Sequence, residues 1–120
     1  MDKLKVGLFG FGCVGQGLYE IIERENLPIE LTAICVKDPA KTRILEAERF
    51  SYDPQIILND PNIDVVVEAI DDADSAFLIA KQALLGGKKF VTANKKMVAE
   101  HLDELLFLRN DQNNLRYIVF

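Results

Sequence analysis

Short runs of apolar residues alternate along the chain with longer segments in which apolar residues recur at helical spacing. The short runs predict strands and the longer segments predict helices. The predicted strands are Leu4 to Phe9, Leu31 to Val36, Ile63 to Ile70, Lys89 to Thr92 and Leu115 to Phe120. The third of them contains Val65-Val66-Val67, a β-branched run that is typical of a strand buried on both faces.

Segments with start and stop signals for helices fill the intervals between the predicted strands. Asp38-Pro39 and Asp53-Pro54 each predict a helix start, because Asp caps a helix and Pro fits its first turn. The predicted helices run from the glycines after Phe9 to before Asn26, from Asp38 to about Arg49, from Asp53 to before Pro61, from a cap at Asp74 or Ser75 to Gly86-Gly87, and from Lys95 to about Arg109.

This alternation predicts the fold class. Strands joined by helical crossovers lie parallel, and the crossovers are right-handed. The sequence therefore predicts an α/β fold with an open, doubly wound, mainly parallel sheet, formed as one domain over residues 1–120. Ligands of such sheets bind at the carboxyl ends of the strands. We therefore expect chemistry near Phe9-Gly10, Val36-Lys37, Glu68 to Ile70 and Thr92 to Asn94.

Composition narrows the class of protein further. The 120 residues are 49% hydrophobic and 28% charged, which excludes intrinsic disorder because such a chain can bury a core. The 14 basic and 19 acidic residues give a net charge of -5, which disfavours nucleic-acid binding. No apolar run approaches the roughly 18 residues of a membrane span, and the start of the chain has no signal-peptide pattern. We therefore expect a cytoplasmic protein that binds no membrane.

The cysteines and the histidine predict no metal site. Cys13 and Cys35 lack the spacing of metal ligands, and His101 is the one histidine of the sequence, so a Cys/His zinc site cannot form. We expect free thiols, with Cys35 as a small core residue, and we give His101 no catalytic role.

The strongest motif is the glycine cluster Gly10-Phe11-Gly12-Cys13-Val14-Gly15, which lies between the first predicted strand and the first predicted helix. In a dinucleotide-binding turn, Gly10 allows the tight turn, Gly12 lets backbone N–H groups approach a pyrophosphate, and Gly15 allows close packing of the helix. The alternative is a glycine-rich turn that binds nothing. The strand before it and the helix after it favour dinucleotide binding.

Two neighbouring residues at the end of the second strand leave the choice of cofactor open. Asp38 lies 23 positions beyond Gly15, near the position where an acidic residue binds the ribose hydroxyls of NAD. Asp38 is equally a good helix cap before Pro39. Lys37 is a candidate for the 2′-phosphate of NADP, and its alternative is a solvated surface lysine.

Other polar residues lie at the ends of the third and fourth predicted strands. Glu68, Asp71 and Asp72 offer carboxylates, but helix capping explains Asp72 and a structural role explains Glu68 better than acid-base catalysis. Lys95 follows the polar segment Thr92 to Asn94 and opens a helix, where the helix dipole disfavours a cation. Because a cation is disfavoured here, we interpret Lys95 as a functional residue, and its alternative is a solvated surface lysine.

Taken together, three segments resemble the nucleotide-binding domain of the homoserine dehydrogenase family. They are Gly10-Phe11-Gly12-Cys13-Val14-Gly15-Gln16-Gly17, Asp64-Val65-Val66-Val67-Glu68 and Gly87 to Lys95, and Leu115-Arg116-Tyr117 follows them. The resemblance implies a Rossmann-like NAD(P)-binding domain of an enzyme that interconverts aspartate semialdehyde and homoserine by hydride transfer, in threonine and methionine biosynthesis. It further implies that Lys95 is catalytic, that Gly10, Gly12 and Gly15 hold the pyrophosphate, and that Lys37 meets the 2′-phosphate of NADP.

The candidate cofactor-binding residues are Gly10, Phe11, Gly12, Cys13, Val14, Gly15, Lys37, Asp38, Ala69, Thr92, Ala93 and Asn94. Two departures from the family pattern accompany them. Cys13 stands where the family commonly has threonine or a small residue, and Asp71-Asp72 stand where it usually has glycines. Two acidic groups near the phosphates of a dinucleotide would weaken its binding or reshape the loop.

The family pattern continues with a substrate domain, whereas Ile118-Val119-Phe120 end this sequence. We therefore expect a dinucleotide-binding domain that is inactive by itself and meets a small amino-acid substrate only together with the missing domain. The strand Leu115 to Phe120 would leave an open sheet edge that could pair with a second copy. Two alternatives are a stand-alone NAD(P)-binding regulatory module and the front domain of an aspartate-type amino-acid dehydrogenase.

Overall fold

The structure is a computed structural model that describes residues 2–37, 45 and 49–112, with side chains up to residue 108. The strands are β1 (Leu4–Phe9), β2 (Ile29–Cys35), β3 (Phe50–Ser51), β4 (Val65–Glu68) and β5 (Lys89–Thr92). The helices are α1 (Cys13–Arg24), α2 (Pro54–Leu58), α3 (Ala73–Leu85), α4 (Lys95–Glu100) and α5 (Leu102–Gln112). Within these ranges, no helix combines the length and the apolar character that a membrane crossing needs.

The five described strands form one parallel sheet in the order β3-β2-β1-β4-β5. The predicted α/β fold with a parallel, doubly wound sheet is confirmed. The chain winds outward from β1 in both directions, so the order reverses between β1 and β4. At this edge Phe9 pairs with Cys35 on one side and with Glu68 on the other, and Glu68 pairs with Thr92. The carboxyl ends of four strands therefore meet in one row.

Helices cover both faces of the sheet, and successive residues of β1 point into different cores. Leu8 packs with Phe11, Ile34 and Val36 on the face that α1 covers. Phe9 belongs to the larger core beneath α2 and α3, whose members include Ile57, Val66, Phe77, Ala80, Leu84, Phe90, Met97 and Leu105. This alternation is what a strand between two helical layers requires, because its successive side chains point to opposite faces.

A buried lysine closes one side of the larger core. The Nζ atom of Lys88 donates hydrogen bonds to the carbonyl oxygens of Asp60, at 2.5 Å, and Ile63, at 2.8 Å. These bonds tie the segment before β4 to the start of β5, and they satisfy polar groups that would be costly to bury alone. Gly87, which has a φ of 81°, follows the end of α3, as Gly86-Gly87 predicted for this helix.

The bounds of several elements differ from the predictions. The sequence placed the second strand at Leu31 to Val36 and the third at Ile63 to Ile70, whereas β2 and β4 are Ile29–Cys35 and Val65–Glu68. Apolar residues flank both strands, so hydrophobicity alone does not mark where strand pairing ends. The two-residue strand β3 was missed because Phe50-Ser51 carries no alternation that could be recognised.

Two helices also differ from the predictions. Of the candidate caps of α3, which were Asp72, Asp74 and Ser75, the cap is Asp72, because its extended backbone lets its side chain accept a hydrogen bond from the N–H group of Asp74. The helix predicted from Lys95 to about Arg109 is interrupted at His101, where φ is -123°. The imidazole ring there stacks on the ring of Phe77, with centroids 4.0 Å apart. The sequence has neither glycine nor proline at this position, so it gave no signal of a break.

The helix predicted from Asp38 to about Arg49 lies largely outside the described residues. The strand predicted from Leu115 to Phe120 lies wholly outside them. Pairing of that strand with a second copy therefore stays a prediction from the sequence.

The packing of α1 generates a prediction about two of its glycines. A Cβ atom at Gly15 would come closer than 3.0 Å to the carbonyl oxygen of Gly10, whereas a Cβ atom at Gly17 would meet nothing within 4 Å. Gly15→Ala is expected to lower the free energy of unfolding by roughly 1 to 3 kcal/mol because backbone must move. Gly17→Ala, the control on the same helix, is expected to raise it by roughly 0.5 to 1 kcal/mol because alanine favours a helix. Urea denaturation of both variants measures these changes, and equal effects would contradict the packing.

Candidate functional site

A cleft of about 780 Å³ opens at the carboxyl edge of the sheet. Its walls are the β1–α1 turn, the ends of β2 and β4, the segment from Tyr52 through α2, and the part of α3 from Ser75 to Gln82. The residues that line it are Phe9, Gly10, Phe11, Gly12, Cys13, Val14, Cys35, Val36, Lys37, Tyr52, Pro54, Gln55, Leu58, Ala69, Ile70, Asp71, Asp72, Ser75, Leu78, Ile79 and Gln82. The cleft lies where the strand order reverses between β1 and β4, which is the usual ligand position in this class of sheet.

The floor of the cleft is the turn that leaves β1. Gly10 has a φ of 95°, which favours glycine, and a Cβ atom there would lie 2.5 Å from the carbonyl oxygen of Ala69. The N–H group of Gly10 donates to the carbonyl oxygen of Cys35 at 2.9 Å, and that of Ala69 donates to Phe9 at 2.8 Å. The turn is therefore held by backbone bonds to the neighbouring strands on both sides.

The amino end of α1 faces the cleft with its first backbone N–H groups. Gly12 is the N-cap residue and has no side chain that could cap them. The N–H groups of the first turn have no acceptor within the helix and carry the positive end of its dipole. A Cβ atom at Gly12 would meet nothing within 4 Å, and Gly12, Cys13 and Val14 all line the cleft, so the helix terminus borders open space. This arrangement suits an anion such as a pyrophosphate.

The other residues of the glycine motif have different surroundings. Gly15 packs against the carbonyl group of Gly10 and lies outside the cleft lining. The ring of Phe11 is buried, with edge contacts to the rings of Tyr19 and Phe50 at centroid distances of 6.1 and 5.4 Å. Phe11 therefore lines the cleft and also anchors the turn through the contacts of its ring.

Cys13 and Val14 follow in the first turn of α1, and both are exposed at the mouth of the cleft. Cys35 lies at the end of β2 with a free thiol in the core. Burial, with a smaller contribution from the carboxylate of Asp53, raises the pKa of the Cys35 thiol. Cys35 therefore stays neutral, as expected of a small core residue.

An ion pair crosses the rim of the cleft. The Nζ atom of Lys37, beyond the end of β2, lies 3.9 Å from the Oδ2 atom of Asp72, before α3. Hydrogen bonds from the Ser75 hydroxyl group and the Asp74 N–H group, together with the nearby Lys37 ammonium group, lower the pKa of Asp72. Asp38, the other candidate for recognising the ribose, lies outside the described residues.

Beneath the cleft, a buried hydrogen-bond network joins β4, β5 and α4. The side chain of Glu68 is fully buried and accepts hydrogen bonds from the Ile70 N–H group, at 2.8 Å, and from the Thr92 hydroxyl group. That hydroxyl group in turn accepts a bond from the Asn94 N–H group at 3.0 Å. Burial raises the pKa of Glu68, although its hydrogen bonds partly oppose this shift. Glu68 is therefore a structural residue that does not line the cleft.

Asn94 connects this network to the helix that begins with Lys95. Its Oδ1 atom accepts a hydrogen bond from the Met97 N–H group at 2.9 Å, and its Nδ2 atom donates one to the carbonyl oxygen of Ile70 at 3.1 Å. Thr92 and Asn94 are buried, whereas Lys95 is exposed. Thr92, Ala93, Asn94 and Lys95 do not line the cleft, and they lie along the same sheet edge beyond β4.

Sequence reasoning missed one wall of the cleft. Tyr52 supplies apolar surface from the segment before α2, Leu58 from the end of α2, and Leu78 and Ile79 from α3. The Asp53-Pro54 signal located the helix correctly, and Asp53 caps it with a bond of 3.0 Å to the Gln55 N–H group. What the sequence could not show is that α2 and α3 contact each other beside the cleft.

His101 lies away from the cleft, where α4 meets α5. Its Nε2 atom is 3.8 Å from a carboxylate oxygen of Asp74, and its Nδ1 atom is 3.6 Å from one of Glu104. The ring packs α5 against Phe77 of α3. The sequence predicted only that His101 has no catalytic role.

The fold and the cleft together define an NAD-binding α/β domain. An uncapped helix terminus faces open space above a glycine turn, a cation lies at the end of β2, and an apolar wall can receive a planar base. The family model for the NAD-binding domain of homoserine dehydrogenase matches residues 10–119. The chain therefore belongs to this family of homoserine dehydrogenase NAD-binding domains.

Known proteins agree with this assignment. The chain is 35% identical over 111 residues to the homoserine dehydrogenase of Helicobacter pylori, a match that covers 86% of this chain and 26% of that protein. A crystal structure of the S. aureus homoserine dehydrogenase has a TM-score of 0.87 at 31% identity and covers 99% of this chain and 34% of that one. The crystal structure of a homoserine dehydrogenase from Thiobacillus denitrificans has a TM-score of 0.88 at 29% identity and covers 99% of this chain and 30% of that one. The chain thus spans about a quarter to a third of the length of these relatives.

The buried network yields a prediction about pH. Because the folded state raises the pKa of Glu68 above its ordinary value of 4.5, folding favours the protonated carboxyl group. As pH rises from below 4.5 through the folded-state pKa, the wild-type free energy of unfolding is expected to fall relative to that of Glu68→Gln. Denaturant titrations of both proteins at several pH values measure this difference.

Glu20→Gln is the matched control, because it removes the same ionisable group from an exposed position on α1. The buried-carboxylate account would be contradicted if the difference in the free energy of unfolding between wild type and Glu68→Gln stayed constant with pH. It would also be contradicted if wild type became relatively more stable as pH rises.

Proposed function

We propose that this chain is the cofactor-binding part of a homoserine dehydrogenase, which transfers a hydride between a nicotinamide dinucleotide and the aspartate semialdehyde/homoserine pair. The observation that carries the proposal is the open, uncapped amino end of α1 above the glycine turn, in a member of this family. The bound dinucleotide would supply the hydride chemistry, and the protein would supply binding and orientation.

The proposed cofactor contacts start from the glycine turn. Backbone N–H groups from Gly12 to Val14 would hold the pyrophosphate, since the space before them is open and the helix dipole favours an anion. Lys37, at the end of β2, would lie near the adenosine ribose. Ala69 would contact the dinucleotide from the end of β4. The cofactor is NAD or NADP.

Thr92, Ala93 and Asn94 would form the continuation of the site toward the nicotinamide. They follow β5 along the same sheet edge, and the Glu68 network fixes Thr92 and Asn94. We assign Lys95 the catalytic role, with its ammonium group hydrogen-bonded to the reacting oxygen of the substrate. Its exposure leaves it free to meet a substrate, while the Asn94 cap fixes the backbone beneath it.

The substrate would be held with the help of a further region. Hydride transfer needs a substrate in near-attack geometry, and the described cleft is lined by one domain alone. The relatives are about three to four times as long as the matched region, which supports this division of labour. We expect residues 1–120 to bind cofactor without oxidising homoserine. The free thiols of Cys13 and Cys35 fit a cytoplasmic location.

Titration calorimetry with NADH and with NADPH tests the cofactor site directly, and Gly12→Ala sharpens the test. A Cβ atom at Gly12 would enter the space assigned to the pyrophosphate without touching protein, so the variant is expected to fold with a stability loss below about 1 kcal/mol. Affinity for the bound nucleotide is expected to fall roughly tenfold or more, because a lost charged hydrogen bond costs about 1.5 to 3 kcal/mol. Binding of neither nucleotide to wild type, or full affinity in Gly12→Ala, would refute the proposed cradle.

Lys95 is tested in a homoserine dehydrogenase that carries this domain. Lys95→Ala is expected to lower kcat roughly 100-fold or more while the cofactor Kd changes less than about threefold, because an acid-base group acts on the reacting atoms. Lys96→Ala is the matched control, since Lys96 is an adjacent exposed lysine that pairs with Glu100 at 3.9 Å. Equal losses in kcat and cofactor affinity, or equal losses in both variants, would exclude the catalytic assignment.

A further inference from the structure

We propose that Asp72 determines the cofactor preference of this domain, by pairing with Lys37 at the rim of the cleft and thereby favouring NADH over NADPH. This inference rests on the proposed cofactor site and specifies how that site discriminates. NADH and NADPH differ at the adenosine ribose, where NADPH carries a 2′-phosphate, and the end of β2 is the strand end that meets this ribose.

The first step of the argument is the geometry of the rim. Lys37 and Asp72 both line the cleft, and they extend from different walls, one after β2 and one before α3. Their charged atoms are 3.9 Å apart, and both side chains are more than half exposed. A 2′-phosphate at this position would need a cation, and the charge of Lys37 is already partly offset by a carboxylate of the protein.

The second step is that Asp72 is held in place by contacts of its own. Its Oδ1 atom accepts a hydrogen bond from the Asp74 N–H group at 3.1 Å, and its Oδ2 atom accepts one from the Ser75 hydroxyl group at 2.8 Å. These contacts lower its pKa, so the carboxylate stays ionised near neutral pH. Asp71 adds a second acidic group to the same lining.

The third step compares the two nucleotides. The 2′-phosphate of NADPH brings a charge of about -1.5 to -2 into a rim that already carries carboxylates, a charge like that of a phosphorylated side chain. The ribose of NADH brings neutral hydroxyl groups, which can donate hydrogen bonds to a carboxylate. The rim is thus electrostatically matched to the neutral ribose.

Asp72→Asn tests the inference because it removes the charge and keeps the cap. The Oδ1 atom of asparagine accepts from the Asp74 N–H group as aspartate does, and asparagine is an equally good N-cap. Calorimetric titration at low ionic strength is expected to show NADH binding more tightly to wild type. The ratio of NADPH to NADH affinity is expected to rise roughly 3- to 10-fold in Asp72→Asn, as a single charge near a phosphate at the surface implies.

The control is Asp74→Asn, which makes the same charge change in the first turn of the same helix, outside the cleft lining. It is expected to leave the ratio within about twofold of wild type. The second arm repeats Asp72→Asn in a Lys37→Ala background, where the effect on the ratio is expected to shrink because the pair no longer exists.

The outcomes separate this inference from the proposed function. Binding of neither nucleotide to wild type refutes the cofactor site itself, and the inference falls with it. Binding with an unchanged ratio in Asp72→Asn overturns the inference and leaves the cofactor site standing. A shift that persists undiminished without Lys37 also overturns it, because Asp72 would then act without its partner.

Discussion

The close contact between the carbonyl group of Gly10 and the backbone of Gly15 is the constraint on which this domain depends. It brings the first turn of α1 directly onto the end of β1, and no side chain fits between them. The same approach directs the unpaired N–H groups of the helix toward the cleft. The fold and the proposed ligand site therefore share one contact, because the packing that seats α1 on the sheet also forms the surface to which we assign the pyrophosphate.

A second constraint operates on the other half of the sheet. Glu68 is buried at the end of β4, where an ionised carboxylate is costly. Its bonds to the Ile70 N–H group and the Thr92 hydroxyl group offset that cost and link two strands to the turn before α4. The network rigidifies the segment that precedes Lys95. Glu68 therefore supports the geometry that we propose for the reacting end of the cofactor, although it does not line the cleft.

Local signals in the sequence were sufficient for the parts of the fold that local chemistry determines. The bounds of β1 and β5 were predicted correctly because the glycine cluster follows β1, and because β5 lies between Gly86-Gly87 and the helix start at Asn94-Lys95. The break at His101 was missed because neither glycine nor proline marks it, and the contact that accompanies it is a ring stacked on Phe77, 24 positions away. The pair of Lys37 and Asp72 was missed because the two residues lie close only after β2 and α3 occupy neighbouring positions.

The two halves of the proposed cofactor site therefore differ in how freely they can change. Pyrophosphate binding by backbone N–H groups depends on the packing of Gly10 and Gly15, so a substitution there would alter the fold together with the site. The rim depends on exposed side chains whose replacement disturbs little packing. The carboxylate of Asp72 is tolerated at the rim because it caps α3 and so has a hydrogen-bond partner of its own. Cofactor preference can consequently vary within this fold while the cradle beneath it stays constant.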